Sequence, residues 1–217
     1  MAVQLYGMDL SAPYSITLMT AEAAGLAYET NDVDLMKGDN MKPEFMELNP
    51  QHTIPVMKHD DFVMNESRAI ASYLASEFDE SGKLYPSSCS KTTARIHQRM
   101  YFDMGVLNKA FGECVYPKMF RGSEPKPEAF DKLKEVLGWA NDMLKETGFA
   151  AGTENMTIAD ICWVATYSSI KESGILELEE YSELEEWFSK CTALIPNYEK
   201  ANGNGAKAFG EFYKSKA

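Results

Sequence analysis

Near residue 81 the hydrophobic pattern of this 217-residue chain changes character. Before that point, short apolar runs alternate with helical spacing, and the reading is strand at 3–6, helix at 15–26, strand at 28–33, a hairpin from 55–58 and 62–64, and a closing helix at 67–78. Asp60-Asp61 makes the hairpin turn, and residues 35–49 form a long connection rich in Gly, Asn and Pro. After Ser81-Gly82 the apolar residues follow helical spacing only. Ile96, Met100, Met104, Leu107, Phe111 and Val115 are separated by three or four positions, predicting one long helix over 92–120 that ends near Tyr116-Pro117. Further helices are predicted from Pro127 to Gly148 and at 157–172, 181–194 and 205–215. The fold class is therefore α/β followed by all-α, with one domain at 1–80, a linker at 81–90 and a helical domain at 91–217.

Charge follows the same division. Residues 1–80 hold 14 Asp/Glu against 4 Lys/Arg, so most of the net charge of −12 lies in the first domain. Such a surface repels phosphate backbones and anionic headgroups, which argues against nucleic acid and membrane as partners. No apolar run approaches the roughly 18 residues of a membrane span, and the start has neither a basic region nor an apolar signal core. The four cysteines, at 89, 114, 162 and 191, show no CxxC spacing and read as reduced thiols of a cytoplasmic protein.

Several features do not support the chemistry their residue types first suggest. His52, His59 and His97 lack metal-ligand spacing, so no metal site is expected. Gly203-Asn-Gly-Ala-Lys-Ala-Phe-Gly210 has a glycine-rich look, but no strand precedes it and no βαβ unit follows, which excludes a dinucleotide loop. Thr157 with Asp160 forms a capping box, with Met156 and Ile161 as its hydrophobic staple, and supports folding rather than chemistry.

Two stretches of the first domain admit both a structural and a functional reading. In Asn49-Pro-Gln-His-Thr-Ile-Pro55, the proline forces Ile54 out of helical geometry and leaves an unpaired backbone edge. Such an edge can take an extended peptide as an added strand, or can simply be an edge of the sheet. Asn65-Glu66-Ser67-Arg68 opens a helix, whose free N–H groups attract a carboxylate while Glu66 can hold an ammonium. Together they suit an α-amino acid; separately they read as a cap and a first-turn acid.

Taken with Ser11-Ala12-Pro13, Leu35-Met-Lys-Gly38, Lys42-Pro43-Glu44-Phe45, Leu84-Tyr85-Pro86, Arg99-Met-Tyr-Phe-Asp-Met-Gly105 and the Thr157-Ile-Ala-Asp160 box, these motifs resemble cytosolic glutathione transferases of the arthropod delta/epsilon, serine-type class. The resemblance covers nearly the whole chain. It implies a thioredoxin-like domain followed by an all-helical domain, and conjugation of glutathione to small hydrophobic electrophiles, with glutathione as co-substrate and no cofactor. It makes Ser11 the residue that activates the glutathione thiol and Pro55 a cis proline, with Ile54 pairing through its backbone to the cysteinyl part. It also gives His52 the glycyl carboxylate, Glu66, Ser67 and Arg68 the γ-glutamyl end, and Asp103 a contribution across a homodimer interface. The electrophile pocket is expected between the domains, with Phe111, Tyr116 and Phe120 touching the substrate.

Two departures from the family pattern stand out: Asn40 where a histidine is frequent, and Tyr14-Ser15 where Cys-Arg is usual. The alternative is a protein that keeps this scaffold as a non-catalytic ligand-binding or structural module. A thiol-disulfide oxidoreductase is excluded, because position 11 is serine.

Overall fold

The computed structural model describes residues 2–145 and 148–216. Strand β1 (Val3–Gly7) alternates buried and half-buried residues and carries Val3 and Leu5 into the core. It pairs in parallel with β2 (Tyr28–Asp32) on one side and antiparallel with β3 (Val56–His59) on the other; β4 (Phe62–Asn65) closes the sheet antiparallel to β3. The strand order β2-β1-β3-β4 gives a mixed sheet, and the β-α-β crossover that parallel strands require is made by α1 (Ala12–Ala23). Helices α1 and α3 (Ser67–Phe78) pack against each other through Ile16, Met19, Ile70 and Leu74, all buried without exposure. The predicted loop at 35–49 is not structureless. It forms two short 3-10 turns and α2 (Pro43–Leu48), which caps a second small core of Val33, Phe45 and Val56.

The rest of the chain is helical. At its centre lies α7 (Ile158–Ser173), of which nearly every residue is buried, as expected for a helix apolar all round. Against it pack α4 (Ser90–Phe102), α8 (Ser182–Leu194) and α9 (Asn204–Lys214), while α6 (Pro127–Lys145) packs on α8 and on α5 (Asn108–Arg121). The mixed sheet with its helices, followed by an all-helical domain, is the architecture the sequence implied. Among the described residues no helix is long and apolar enough to cross a membrane.

Two boundaries differ from expectation. Helix α1 starts at Ala12 rather than at residue 15, because the Ser11 hydroxyl oxygen accepts from the Tyr14 N–H and caps the helix there. The long helix does not stop at Tyr116-Pro117. It widens into a π-turn at Asp103–Leu107 and continues through Pro117 to Arg121, where Gly122 closes it in the left-handed conformation. Proline bars one N–H bond but fixes φ near helical values, so the residues after it can remain helical. Helix α6 is described as far as Lys145, and the expected turn before Gly148 includes 146 and 147, outside the described residues.

Candidate functional site

A cavity of about 400 Å³ opens between the sheet domain and the helices. Of the residues singled out from sequence, Ser11, His52, Ile54, Phe111, Tyr116 and Phe120 line it together. Ser11 reaches it because β1 ends at Gly7 and the turn at Met8–Leu10 delivers the chain to the mouth of α1, with the Ser11 N–H bonded to the Met8 carbonyl at 2.9 Å. Its Oγ is an acceptor toward Tyr14 N–H at 3.3 Å, so its hydroxyl proton is free to be donated into the cavity.

Tyr6 stands differently. Its hydroxyl donates to Gln4 Oε1 at 2.9 Å, its ring packs on the second small core, and it does not line the cavity. Tyr14 fills the space beside Gly7, where an added Cβ would meet its ring at 2.3 Å, and is almost wholly buried. Burial, with Asp9 and Asp32 nearby, pushes the Tyr14 phenol up, so it holds its proton and donates to the Leu5 carbonyl at 3.4 Å.

The loop that carries His52 and Ile54 is built by two asparagines. Asn49 is buried; its Nδ2 donates to the Thr53 carbonyl and hydroxyl, while its Oδ1 accepts from Gln51 N–H and from Asn65 Nδ2. Asn40 Nδ2 donates to the His52 carbonyl at 2.8 Å, holding His52 in a left-handed conformation with φ of 48°. The Ile54–Pro55 peptide is cis and Pro55 is buried. Asn49 was part of a recognised motif, but nothing in the sequence alone marked it as the residue that fixes the loop.

Glu66, Ser67, Arg68 and Asp103 lie outside the cavity lining. Glu66 is exposed and precedes α3 with φ of 70°, a conformation a non-glycine residue adopts only where the surroundings impose it. Ser67 is buried, and its Oγ accepts from Arg68 Nη1 at 3.0 Å. Arg68 Nη2 forms an ion pair with Asp103 Oδ2, and Thr166 Oγ1 donates to Asp103 Oδ1 at 2.7 Å. Burial works against the Arg68 charge, but the Asp103 carboxylate outweighs it and keeps the guanidinium protonated; the same burial pushes the Asp103 carboxyl up, opposed by Arg68 and Thr166. Asp103 has no exposed surface, and both its oxygens are occupied within its own chain. Arg68 likewise turns its guanidinium into the protein toward Asp103.

The far wall of the cavity is aromatic. Phe111 stacks on Phe209 of α9 with ring centroids 5.7 Å apart, and Tyr116 on Phe120 at the same distance. Gly112 makes room for the Tyr116 ring, which an added Cβ would meet at 2.7 Å. Phe209 and Phe212 of α9 also line the cavity, and the sequence had marked neither. They arrive because Gly205 lets α9 press against the loop before Ser11: a Cβ there would lie 2.1 Å from the Asp9 carbonyl oxygen. The glycine-rich stretch rejected as a dinucleotide loop is thus a close-packing face.

Comparison with known proteins agrees with this architecture. Residues 13–77 match the family described as "Glutathione S-transferase, N-terminal domain", and residues 106–194 match "Glutathione S-transferase, C-terminal domain". A delta-class glutathione transferase of Nilaparvata lugens is 39% identical with a TM-score of 0.95, the match covering 99% of this chain and 100% of that one. An epsilon-class enzyme from the housefly Musca domestica is 32% identical over 99% of this chain and 98% of its own, with a TM-score of 0.91. A glutathione transferase homologue from Drosophila mojavensis, solved with bound glutathione, is 30% identical over 99% and 97%, with a TM-score of 0.89.

Proposed function

The chain belongs to the glutathione transferase family, and on that premise we propose that it conjugates the activated thiolate of glutathione to small hydrophobic electrophiles, as a detoxifying enzyme of the serine-type class. The observation that carries this reading is Ser11: a hydroxyl with a free proton, at a helix N-terminus, facing a cavity whose other wall is aromatic. A free thiol with pKa of about 8.5 is only a few per cent thiolate at neutral pH. Lowering that value by about two units requires roughly 2.7 kcal/mol of differential stabilisation. A charge-assisted hydrogen bond contributes about 1.5–3 kcal/mol and a helix N-terminus about 0.3–1 kcal/mol, so Ser11 at the start of α1 is sufficient. Serine acts as a donor to the sulfur, and the thiol proton leaves to solvent.

The tripeptide would then lie along the rim of the sheet domain. Ile54 offers its backbone to the cysteinyl part beside Pro55, His52 takes the glycyl carboxylate, and Glu66 with Ser67 holds the γ-glutamyl end at the start of α3. Arg68 and Asp103 act indirectly, by fixing the Ser67 hydroxyl. Phe111, Tyr116 and Phe120 receive the electrophile. The homologue solved with bound glutathione supports this ligand. The domain limits we propose are 1–80 and 91–217 with a linker between, in a cytoplasmic homodimer; sedimentation at micromolar concentration should give twice the 24.3 kDa chain mass. A purely monomeric species would remove the dimer from the proposal.

Ser11 and Tyr6 are the two hydroxyls near the end of β1, and comparing them tests the mechanism. Ser11→Ala should raise the thiol pKa of bound glutathione, so the ultraviolet thiolate signal and neutral-pH turnover both fall, with part of the loss recovered at high pH. Tyr6→Phe should leave both close to wild type, since its hydroxyl is bonded to Gln4. Loss of the thiolate signal in Tyr6→Phe with its retention in Ser11→Ala would reverse the assignment. Glutathione binding without turnover of any electrophile by the wild type would favour a binding protein.

A further inference from the structure

On the helical side of the cavity, Asn108, Thr166 and Ser169 join the Tyr116 hydroxyl as the polar groups of an otherwise apolar wall. Two of them have spent their protons. Thr166 donates to Asp103 Oδ1 at 2.7 Å, and Ser169 donates to the Ala165 carbonyl at 3.1 Å. Thr166 Oγ1 can therefore only accept from Asn108, which turns the amide nitrogen toward it at 3.4 Å and settles the orientation of the side chain. A primary amide offers two N–H groups. One makes this single long bond, while the second N–H and the Oδ1 have no partner among the described residues.

The backbone places this amide deliberately. Asn108 closes the π-turn, its N–H bonding to the Asp103 carbonyl five residues back. In an unbroken α-helix, residues five apart point about 140° away from each other. The wider turn brings Asp103 and Asn108 onto the same face, both against Thr166, so the buried ion pair, the threonine and the amide form one chain that ends in the cavity. A π-turn that re-aims a side chain is a frequent feature of functional sites.

We propose that Asn108 is a specificity-determining residue of the electrophile pocket, whose free amide N–H holds the carbonyl oxygen of α,β-unsaturated carbonyl electrophiles. This inference rests on the transferase reading above. In the reaction, the thiolate sulfur bonds to the β-carbon and the carbon–carbon π pair moves through the α-carbon to the carbonyl oxygen, giving an enolate. Solvent then supplies a proton to the α-carbon, matching the one the thiol released; nothing leaves. Negative charge grows on the oxygen that Asn108 holds, in a water-poor pocket where a fixed donor is most effective. Displacement of a halide from an alkyl or benzyl carbon places the charge on the halide and gives the amide no carbonyl oxygen to hold. A pocket with such a donor discriminates against substrates that leave it unpaired.

The test compares kcat/KM for an unsaturated aldehyde, trans-2-hexenal, with that for benzyl chloride in the wild type, Asn108→Leu and Asn108→Ala. Leu keeps the volume and removes the amide; Ala guards against a packing effect of Leu, and thermal midpoints and glutathione calorimetry check both variants. The aldehyde-to-halide ratio should fall about 10- to 100-fold in both variants, the loss expected for one charge-assisted hydrogen bond. A ratio that stays within about threefold of wild type, or a wild type that turns over the halide and not the aldehyde, overturns the proposal and leaves the transferase reading intact. A wild type that binds no glutathione and turns over neither compound overturns both.

Discussion

Asp103 and Asp160 are both buried without exposure, yet they are satisfied in different ways. Asp160 accepts four hydrogen bonds from neutral donors of its own domain: Ala150 N–H and Trp187 Nε1 on one oxygen, Thr157 N–H and Oγ1 on the other. Asp103 has a cation, Arg68, which comes from the sheet domain, and the Thr166 hydroxyl. Burial pushes both carboxyls up; hydrogen bonds oppose it at Asp160, the Arg68 charge foremost at Asp103. The first carboxylate closes the start of α7 on the preceding loop and α8, and belongs to folding. The second is complete only when both domains are in place. It ties Ser67, at one end of the proposed glutathione site, to Thr166 in the cavity wall.

By that contrast, Asp160→Ala is the most damaging substitution. It strands the Ala150, Thr157 and Trp187 N–H donors in the interior, at about 1–3 kcal/mol each, and should lower stability by roughly 4–6 kcal/mol. At about 2–4 °C per kcal/mol for a chain of this size, the thermal midpoint should drop by some 8–24 °C, or soluble protein should fail to accumulate. A loss under 3 °C would mean that other acceptors or water replace the carboxylate.

Breaking the other site sharpens the comparison, because an ion pair can be removed from both sides. Arg68→Met or Asp103→Leu alone leaves an uncompensated buried charge and should cost about 3–5 kcal/mol. The double variant removes both charges and should recover most of that loss, whereas no single partner substitution can relieve Asp160→Ala. Denaturant unfolding of the four species would refute the distinction if the two single losses simply add. Since Arg68 also bonds Ser67, glutathione affinity should stay reduced in the double variant even where stability returns.

Smaller effects are expected at the residues that hold the ligand. Ser67→Ala and His52→Ala should each weaken glutathione binding about 10- to 100-fold, the loss of one charge-assisted contact. Asn40→Ala removes only the neutral bond that supports the His52 carbonyl, and should weaken binding about two- to tenfold. Titration calorimetry giving wild-type affinity for Ser67→Ala and His52→Ala would place the site elsewhere. An Asn40 effect as large as that of His52 would show direct contact with the ligand.

Most of the fold was legible because periodicity and breakers are local properties of sequence. The hairpin, the α3 start and the Thr157–Asp160 box were read from residues a few positions apart, and all form. Pro117 misled because a proline rule concerns one hydrogen bond, while the helix continues with Met119 buried and Phe120 on the cavity. The π-turn left no trace, since steps of three and four residues allow either helix. The burial of Asp103 was not legible: an acid amid a half-exposed segment looks like surface, and only its long-range pairing with Arg68, 35 residues earlier, shows it is interior. Phe209 and Phe212 were invisible for a similar reason. Their place in the cavity depends on Gly205 meeting Asp9, nearly the whole chain away.

The smallest effect applies the same contrast, burial against hydrogen-bond donors, to the cysteines. Burial pushes Cys114 up to about 11 and moves Cys162 and Cys191 further in the same direction, so all three should stay protonated and inert in the folded protein. Cys89 is exposed at the N-cap of α4, where the Thr92 side chain and the backbone N–H groups of Thr92 and Lys91 lower its pKa. Reaction rate follows the thiolate fraction, and a lowered pKa raises that fraction at any pH below the free value. One thiol should therefore react with an aromatic disulfide reagent in a fast phase, with a half-maximal rate at a lower pH than the other thiols of the unfolded chain. Cys89→Ser should abolish that phase and change neither thermal midpoint nor glutathione affinity, because the side chain touches neither core nor cavity. A fast phase that survives Cys89→Ser would mean that one of the buried thiols opens to solvent, and that burial in the helical domain is less secure than Asp160 implies.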